Sequence, residues 1–227
     1  MIVDGRRGYS QAFIMTMRPS NSISRRPVDP VLILIPALFA AAAVAAFFFG
    51  DLRITQFLQR FDNPYFHWLM VAVSWPGYQG RHWVVALCAA ALLLRFRRKV
   101  EAAFLLAGLG SIMLLTSAIK LIVARPRPSP DLVVVDILNS TYSYPSGHVT
   151  SYLALFGFLF YLVHALMRPS ALRSALLAVF GALIGLVGLS RVYLGAHWAS
   201  DALTAYCLGF LWLGMMIHLY EKFSRRA

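Results

Sequence analysis

Long apolar runs separated by short polar stretches set the pattern of this chain. Runs at about 31–50, 82–94, 102–123, 147–166, 175–189 and 198–220 carry almost no charge, and most approach the roughly 20 residues an α-helix needs to cross a bilayer core. The run at 82–94 is short for a crossing and relies on its basic flank to snorkel. The expected fold is all-α: a polytopic bundle of six transmembrane helices. Residues 51–81 are too mixed to cross cleanly. Tyr65, Trp68, Trp75, Tyr78 and Trp83 are rings that settle at headgroup depth, and Pro76-Gly77 breaks any helix there. Short interfacial helices are therefore expected after the first span. No internal repeat suggests the inverted halves of a transporter.

Composition agrees with the pattern. The chain is 59% hydrophobic and 13% charged, with a mean hydropathy of +0.67, against roughly 45–50% apolar in soluble domains. A net charge of +12 in a polar chain would point to nucleic acid. Here the basic residues sit in clusters between apolar runs, so membrane lipids are the expected partners and nucleic acid is not. Five Lys/Arg precede the first run, four lie at 95–99, two at 168–173 and three after Tyr220. The positive-inside bias puts all of these, and both termini, in the cytoplasm. The expected organisation is a cytoplasmic tail at 1–30, a six-span domain at 31–222 and a short cytoplasmic tail at 223–227. The first run exceeds the ~7–15 apolar residues of a signal peptide and reads as an anchor. Cys88 and Cys207 both fall inside apolar runs, which predicts neither a disulfide nor a metal site from them.

Ionisable residues close to the spans are costly in lipid and are candidates for function. Lys120, Arg125 and Arg127 gather at the outer end of the third run, where Pro126 and Pro128 stop the helix. A snorkelling basic helix end also fits them. Tyr144-Pro145-Ser146-Gly147-His148 precedes the fourth run, with Ser146 as the expected N-cap. The free N–H groups and positive dipole end of such a helix start bind phosphate, and Gly147 admits an anion close to the backbone. Capping alone also explains this sequence. Ser190-Arg191, His197 and Asp201 link the fifth and sixth runs. A four-residue spacing puts His197 and Asp201 on one helical face, where the carboxylate accepts the imidazole N–H and leaves the other ring nitrogen free to attack. Arg191 offers a planar fork to phosphate oxygens. Taken alone, the His–Asp pair fits a packing contact as well.

All three clusters fall on the outer side of the predicted bundle, a convergence that independent accidents do not explain. Together they supply cations, helix N–H groups and two histidines. The loops lack a clustered set of carboxylate or Cys ligands, and the nearby cations repel a divalent ion, so no metal is expected. His67 and His82 are expected at the interface, and His164 and His218 at cytoplasmic helix ends where a cation complements the dipole.

With these residues the chain resembles the type 2 phosphatidic acid phosphatase family, which shares its core with vanadium haloperoxidases and glucose-6-phosphatase. Lys120 with Arg127-Pro128, Pro145-Ser146-Gly147-His148, and Ser190-Arg191 with His197 and Asp201 match the family pattern at every named position. The likeness extends over about 31–220, resting on hydropathy outside the motifs. It implies that His197 attacks phosphorus to form a phosphohistidine, that Asp201 orients it and that His148 protonates the leaving oxygen. It also implies that Lys120, Arg127, Arg191, Ser146 and Gly147 hold the phosphate, with no metal or organic cofactor. The implied activity is that of a lipid phosphatase at the extracytoplasmic face of a bacterial cytoplasmic membrane. Undecaprenyl diphosphate, phosphatidic acid and phosphatidylglycerol phosphate are its candidate substrates. The six apolar runs set a soluble haloperoxidase aside. A non-enzymatic lipid-binding or transport protein is the alternative; it would spread charges through the depth of several spans, whereas here they gather at one face.

Overall fold

The computed structural model describes residues 31–136 and 140–224, with side chains from Leu34 onward. The expected tail at 1–30 and the chain end from 225 lie outside these residues. Every regular element described is helical: α1 (Val31–Phe49), α2 (Asp51–Gln59), α3 (Pro64–Ser74), a 3-10 stretch (Trp75–Gly80), α4 (Arg81–Arg95), α5 (Lys99–Val123), α6 (Gly147–Leu166), α7 (Ala171–Tyr193) and α8 (Ala199–Ser224). The short helices expected between the first two apolar runs are thus present as α2, α3 and the 3-10 stretch.

Local chemistry sets the boundaries. Gly50 separates α1 from α2, which meet at 92°. Asn63 caps α3 by accepting the Tyr65 N–H at 2.8 Å, with Pro64 in the first helical position. Ser170 caps α7 through the Arg173 N–H. The third run stops as expected: α5 ends at Val123, and Ala124 turns left-handed (φ 49°) two residues before Pro126. Ser146 does occupy the N-cap of α6, but its side chain makes no capping bond. The backbone turn around Pro145 starts this helix without help from the hydroxyl.

Helices α5, α6, α7 and α8 are each long and apolar enough to cross a membrane, and α1 with α2 qualifies as a bent fifth crossing. The fourth helix, at 15 residues, rises only about 22 Å at ~1.5 Å per residue. By length and composition the described residues therefore give four or five crossings, short of the expected six.

Packing is inverted relative to a water-soluble protein. Leu121 and Ile122 are 72% and 81% exposed, whereas Arg191 is 1% exposed and Asp201 fully buried. Large apolar side chains facing outward around a polar interior are what a lipid solvent requires. Helix α6 is the most enclosed of the crossing helices. Its Tyr152, Leu153 and Leu155 pack in one core with Leu105, Leu109 and Ile112 of α5, Val187 of α7, and Ala202 and Ala205 of α8. At one end of the bundle, Glu101 of α5 accepts hydrogen bonds from Arg98 (3.3 Å) and from Tyr220 of α8 (3.1 Å). The candidate site lies at the other end.

Candidate active site

Helix ends meet there: α5 brings Lys120, α6 opens with Gly147 and His148, α7 closes with Arg191, and α8 opens with Asp201. The loop between α5 and α6 folds over them. Lys120 Nζ donates to the carbonyls of Tyr142 (2.5 Å) and Ser143 (3.2 Å). Arg127 donates through Nε to the Thr141 carbonyl (2.7 Å) and through Nη2 to Thr141 Oγ1 (2.9 Å). Its Nη1 donates to the Ala196 carbonyl at 2.6 Å and lies 3.2 Å from Nε2 of His197. An arginine cannot accept a hydrogen bond, so Nε2 presents its lone pair and the proton of the neutral ring resides on Nδ1. Burial pushes the His197 pKa well below its ordinary value, and Arg127, Arg191 and Lys120 push it further, against the Ser143 backbone. The imidazole is therefore neutral near pH 7, with its lone pair on Nε2. Burial, then Arg191, lower the Arg127 pKa to about 10, so that guanidinium stays charged.

His197 differs in detail from its expected setting. It lies in the turn before α8, not on the helix, and its Nδ1 is 3.7 Å from Asp201 Oδ2, beyond direct hydrogen-bond reach. Ser143 stands between them: its hydroxyl donates to Asp201 Oδ2 and lies 3.4 Å from Nδ1. Asp201 also accepts the Trp198 N–H at 3.0 Å, an acidic residue closing back on its own helix start. Its other oxygen takes Arg125 Nη1 at 2.6 Å, and Arg125 Nη2 reaches Asp51 Oδ2 at 2.6 Å. Arg125 is thus an anchor between two carboxylates and is not a free cation of the pocket.

On the opposite side, Arg191 Nη1 donates to Tyr78 Oη (2.7 Å) and Ser74 Oγ (3.2 Å), with the Tyr78 ring under its guanidinium. Tyr78 also packs edge-on against the His148 ring, centroids 5.1 Å apart. Arg191 Nε, His148 Nε2 and Ser146 Oγ are buried without hydrogen-bond partners. Orphaned buried polar atoms are rare and cost about 1–3 kcal/mol each. A tetrahedral oxyanion brings the acceptors that an arginine N–H and a hydroxyl need. His82 is also buried in the protein, 7% exposed. Among the described residues no three His, Cys, Asp or Glu side chains gather as metal ligands would.

A family model described as the PAP2 superfamily matches residues 101–225, more than half of the chain. The chain belongs to the PAP2 superfamily. It is accordingly an integral membrane lipid phosphatase, a phosphoric monoester hydrolase. Phosphatidylglycerophosphatase B of Bacillus subtilis (strain 168) is 26% identical over 199 residues, covering 86% of this chain and 97% of that one. Lipid phosphate phosphatase delta of Arabidopsis thaliana is 29% identical over 120 residues, 48% of this chain and 28% of that one. The crystal structure of a transmembrane PAP2 type phosphatidylglycerolphosphate phosphatase from Bacillus subtilis superposes with a TM-score of 0.71 at 25% identity, covering 84% of this chain and 94% of that one.

Several residues at the site of this PAP2 phosphatase lie outside the matched region, among them Asp51, Ser74, Gly77 and Tyr78. Gly77, read from the sequence only as a helix breaker, lies against the His148 imidazole. A Cβ there would stand 2.2 Å from His148 Cδ2 and 2.7 Å from Nε2. We expect Gly77→Ala to lower kcat roughly 100-fold, the scale on which a displacement of about 1 Å is felt. A kcat for Gly77→Ala equal to that of the unaltered enzyme would show that the imidazole has room to spare.

Proposed function

We propose that this PAP2 enzyme hydrolyses a lipid phosphate without a metal, through a phosphohistidine on His197, at the extracytoplasmic face of a bacterial cytoplasmic membrane. One observation carries the reading: Arg127, Arg191 and Lys120 surround a buried His197 whose Nε2 accepts from Arg127, while Arg191 Nε, His148 Nε2 and Ser146 Oγ are buried with no partner. Lys120, Arg127 and Arg191 hold the equatorial oxygens with Ser146 and the Gly147 N–H at the helix start, preorganised charge of the kind that dominates phosphoryl transfer. Nε2 attacks phosphorus, the bond to the lipid oxygen breaks, and His148 gives that oxygen its proton. Water then attacks the phosphohistidine and returns a proton to His148, while Asp201 steadies His197 throughout.

The direction of the helices supports six crossings. At the site end, α1, α5 and α7 arrive, and α4, α6 and α8 depart. Phe47 at the end of α1 meets Arg125, and Tyr78 just before α4 meets Arg191. A chain that returns to the same face on each second helix crosses each time, so the short α4 spans with its Arg95, Arg97 and Arg98 flank snorkelling. Both termini are then cytoplasmic. The named activity of the 26% identical relative favours phosphatidylglycerophosphate over undecaprenyl diphosphate and phosphatidic acid.

A panel of these three lipids, assayed with purified protein, tests substrate and chemistry together. Phosphatidylglycerophosphate is expected to release phosphate fastest. Activity should persist in EDTA and fall with vanadate, which adopts the five-coordinate geometry of phosphorus in transfer. Loss of activity in EDTA that magnesium or zinc restores would overturn the metal-free reading.

A further inference from the structure

We infer that Ser143 is a positioning residue for His197, its hydroxyl relaying the Asp201 carboxylate to Nδ1 of the imidazole. The inference rests on the reading of His197 as nucleophile and adds a member to its support. Asp201 does not reach the ring directly, and the Ser143 carbonyl, which also bonds the imidazole, brings it no charge. Asp201 Oδ1 is held by Arg125 and Oδ2 by the Trp198 N–H and the Ser143 hydroxyl. Asp51 fixes Arg125 from the far side and also accepts the Ser200 N–H at 2.8 Å and the Ser200 hydroxyl at 2.6 Å. The carboxylate is thus clamped in place 3.7 Å from Nδ1, and swinging it toward His197 would break charge-assisted bonds that are worth more than a neutral one.

A serine hydroxyl has one proton and two lone pairs. In Ser143 the proton goes to Asp201, which leaves a lone pair for Nδ1–H at 3.4 Å. The relay fixes the tautomer by exclusion. An imidazole turned to carry its proton on Nε2 would confront the Arg127 N–H donor and leave Nδ1 facing a hydroxyl whose proton is committed. As Nε2 takes up phosphorus the ring gains positive charge, and the Nδ1–H···Oγ–H···Oδ2 chain lets the Asp201 charge stabilise it. Ser143 is well placed to hold still. It is fully buried, its N–H donates to the Arg125 carbonyl at 2.9 Å and its carbonyl receives Lys120. Its backbone is therefore tied to the same arginine that clamps Asp201.

The test is Ser143→Ala in the full-length enzyme with phosphatidic acid in mixed micelles, beside His197→Ala. Removing an outer hydrogen-bond partner of a working imidazole costs roughly 10- to 100-fold, and kcat is expected to fall by that factor. KM and the inhibition constant of inorganic phosphate should hold within about twofold, because neither the cations nor the helix start is touched. A kcat equal to that of the unaltered enzyme overturns the relay. So does a phosphate affinity that weakens in step with kcat, since Ser143 would then support the anion site and not the nucleophile. Phosphoenzyme label on His197→Ala would instead remove the nucleophile reading beneath the proposal, an outcome recognisable apart from the other two.

Discussion

Replacing His197 by alanine is expected to lower turnover by about 10⁵- to 10⁶-fold, the scale on which loss of a nucleophile is felt, with no phosphoenzyme formed on any substrate. Replacing His148 by alanine is expected to fail differently. Loss of a general acid costs roughly 10²- to 10⁴-fold when the leaving group needs a proton, as a lipid alkoxide does. With p-nitrophenyl phosphate the leaving group departs as a stabilised anion, so the first step survives in His148→Ala. The second step, in which His148 takes a proton from water, does not. Rapid quenching with labelled substrate should then trap phosphate on the His148→Ala protein and none on His197→Ala. Both variants should stay folded, because neither side chain packs toward lipid. Label on His197→Ala, or equal trapping in both, would assign the nucleophile elsewhere.

The difference in what these variants report mirrors what the sequence does and does not contain. Lys120, Arg127, the Pro145 to His148 segment, Arg191, His197 and Asp201 were legible because each sits at a fixed short distance from a helix boundary marked by proline, glycine or the end of an apolar run. Their meeting at one end of the bundle follows from counting crossings. Asp51, Arg125 and Ser143 were not legible in their roles, because pairing between α2, the loop after α5 and the start of α8 leaves no local spacing to read. In the sequence Arg125 was only one member of the basic cluster at the end of the third run. Gly77 carried a signal that was read too narrowly: a glycine after proline breaks a helix, but only the fold shows what its missing Cβ makes room for. The burial of His82 escaped for a similar reason, since its sequence neighbours Trp83 and Val84 stay exposed while α4 turns this one ring inward.

The helix that least resembles a span also bears on topology. Helices α1 and α5 both end at the site, so if α4 lay along the surface nothing would carry the chain back between them, and the basic turn at 95–99 would share a face with the site. Both Tyr78 before α4 and Lys120 at the end of α5 contribute at the site end, while Arg95 and Lys99 stand at the far ends of the same two helices. The pair is an antiparallel hairpin whose turn points away from the pocket.

Orientation in the membrane should therefore appear as an all-or-none difference between two labelling positions. Single cysteines at Ser140, in the exposed loop over the pocket, and at Pro169, in the exposed turn before α7, would be introduced with Cys88 and Cys207 replaced. Pro169 is preferable to its neighbour Ser170, whose hydroxyl caps α7 by accepting the Arg173 N–H. An impermeant thiol reagent applied to intact cells should label position 140 and leave position 169 untouched until the membrane is opened. The basic turns at 95–99 and 168–173 favour the cytoplasm, and the loop between α5 and α6 lies one crossing away from each. The substrate would then meet the enzyme in the outer leaflet, where the cationic pocket attracts a phosphate headgroup while the acyl chains stay in lipid. Labelling of position 169 and not 140 in intact cells would invert the bundle and place hydrolysis on the cytoplasmic leaflet, against the distribution of basic residues along the chain.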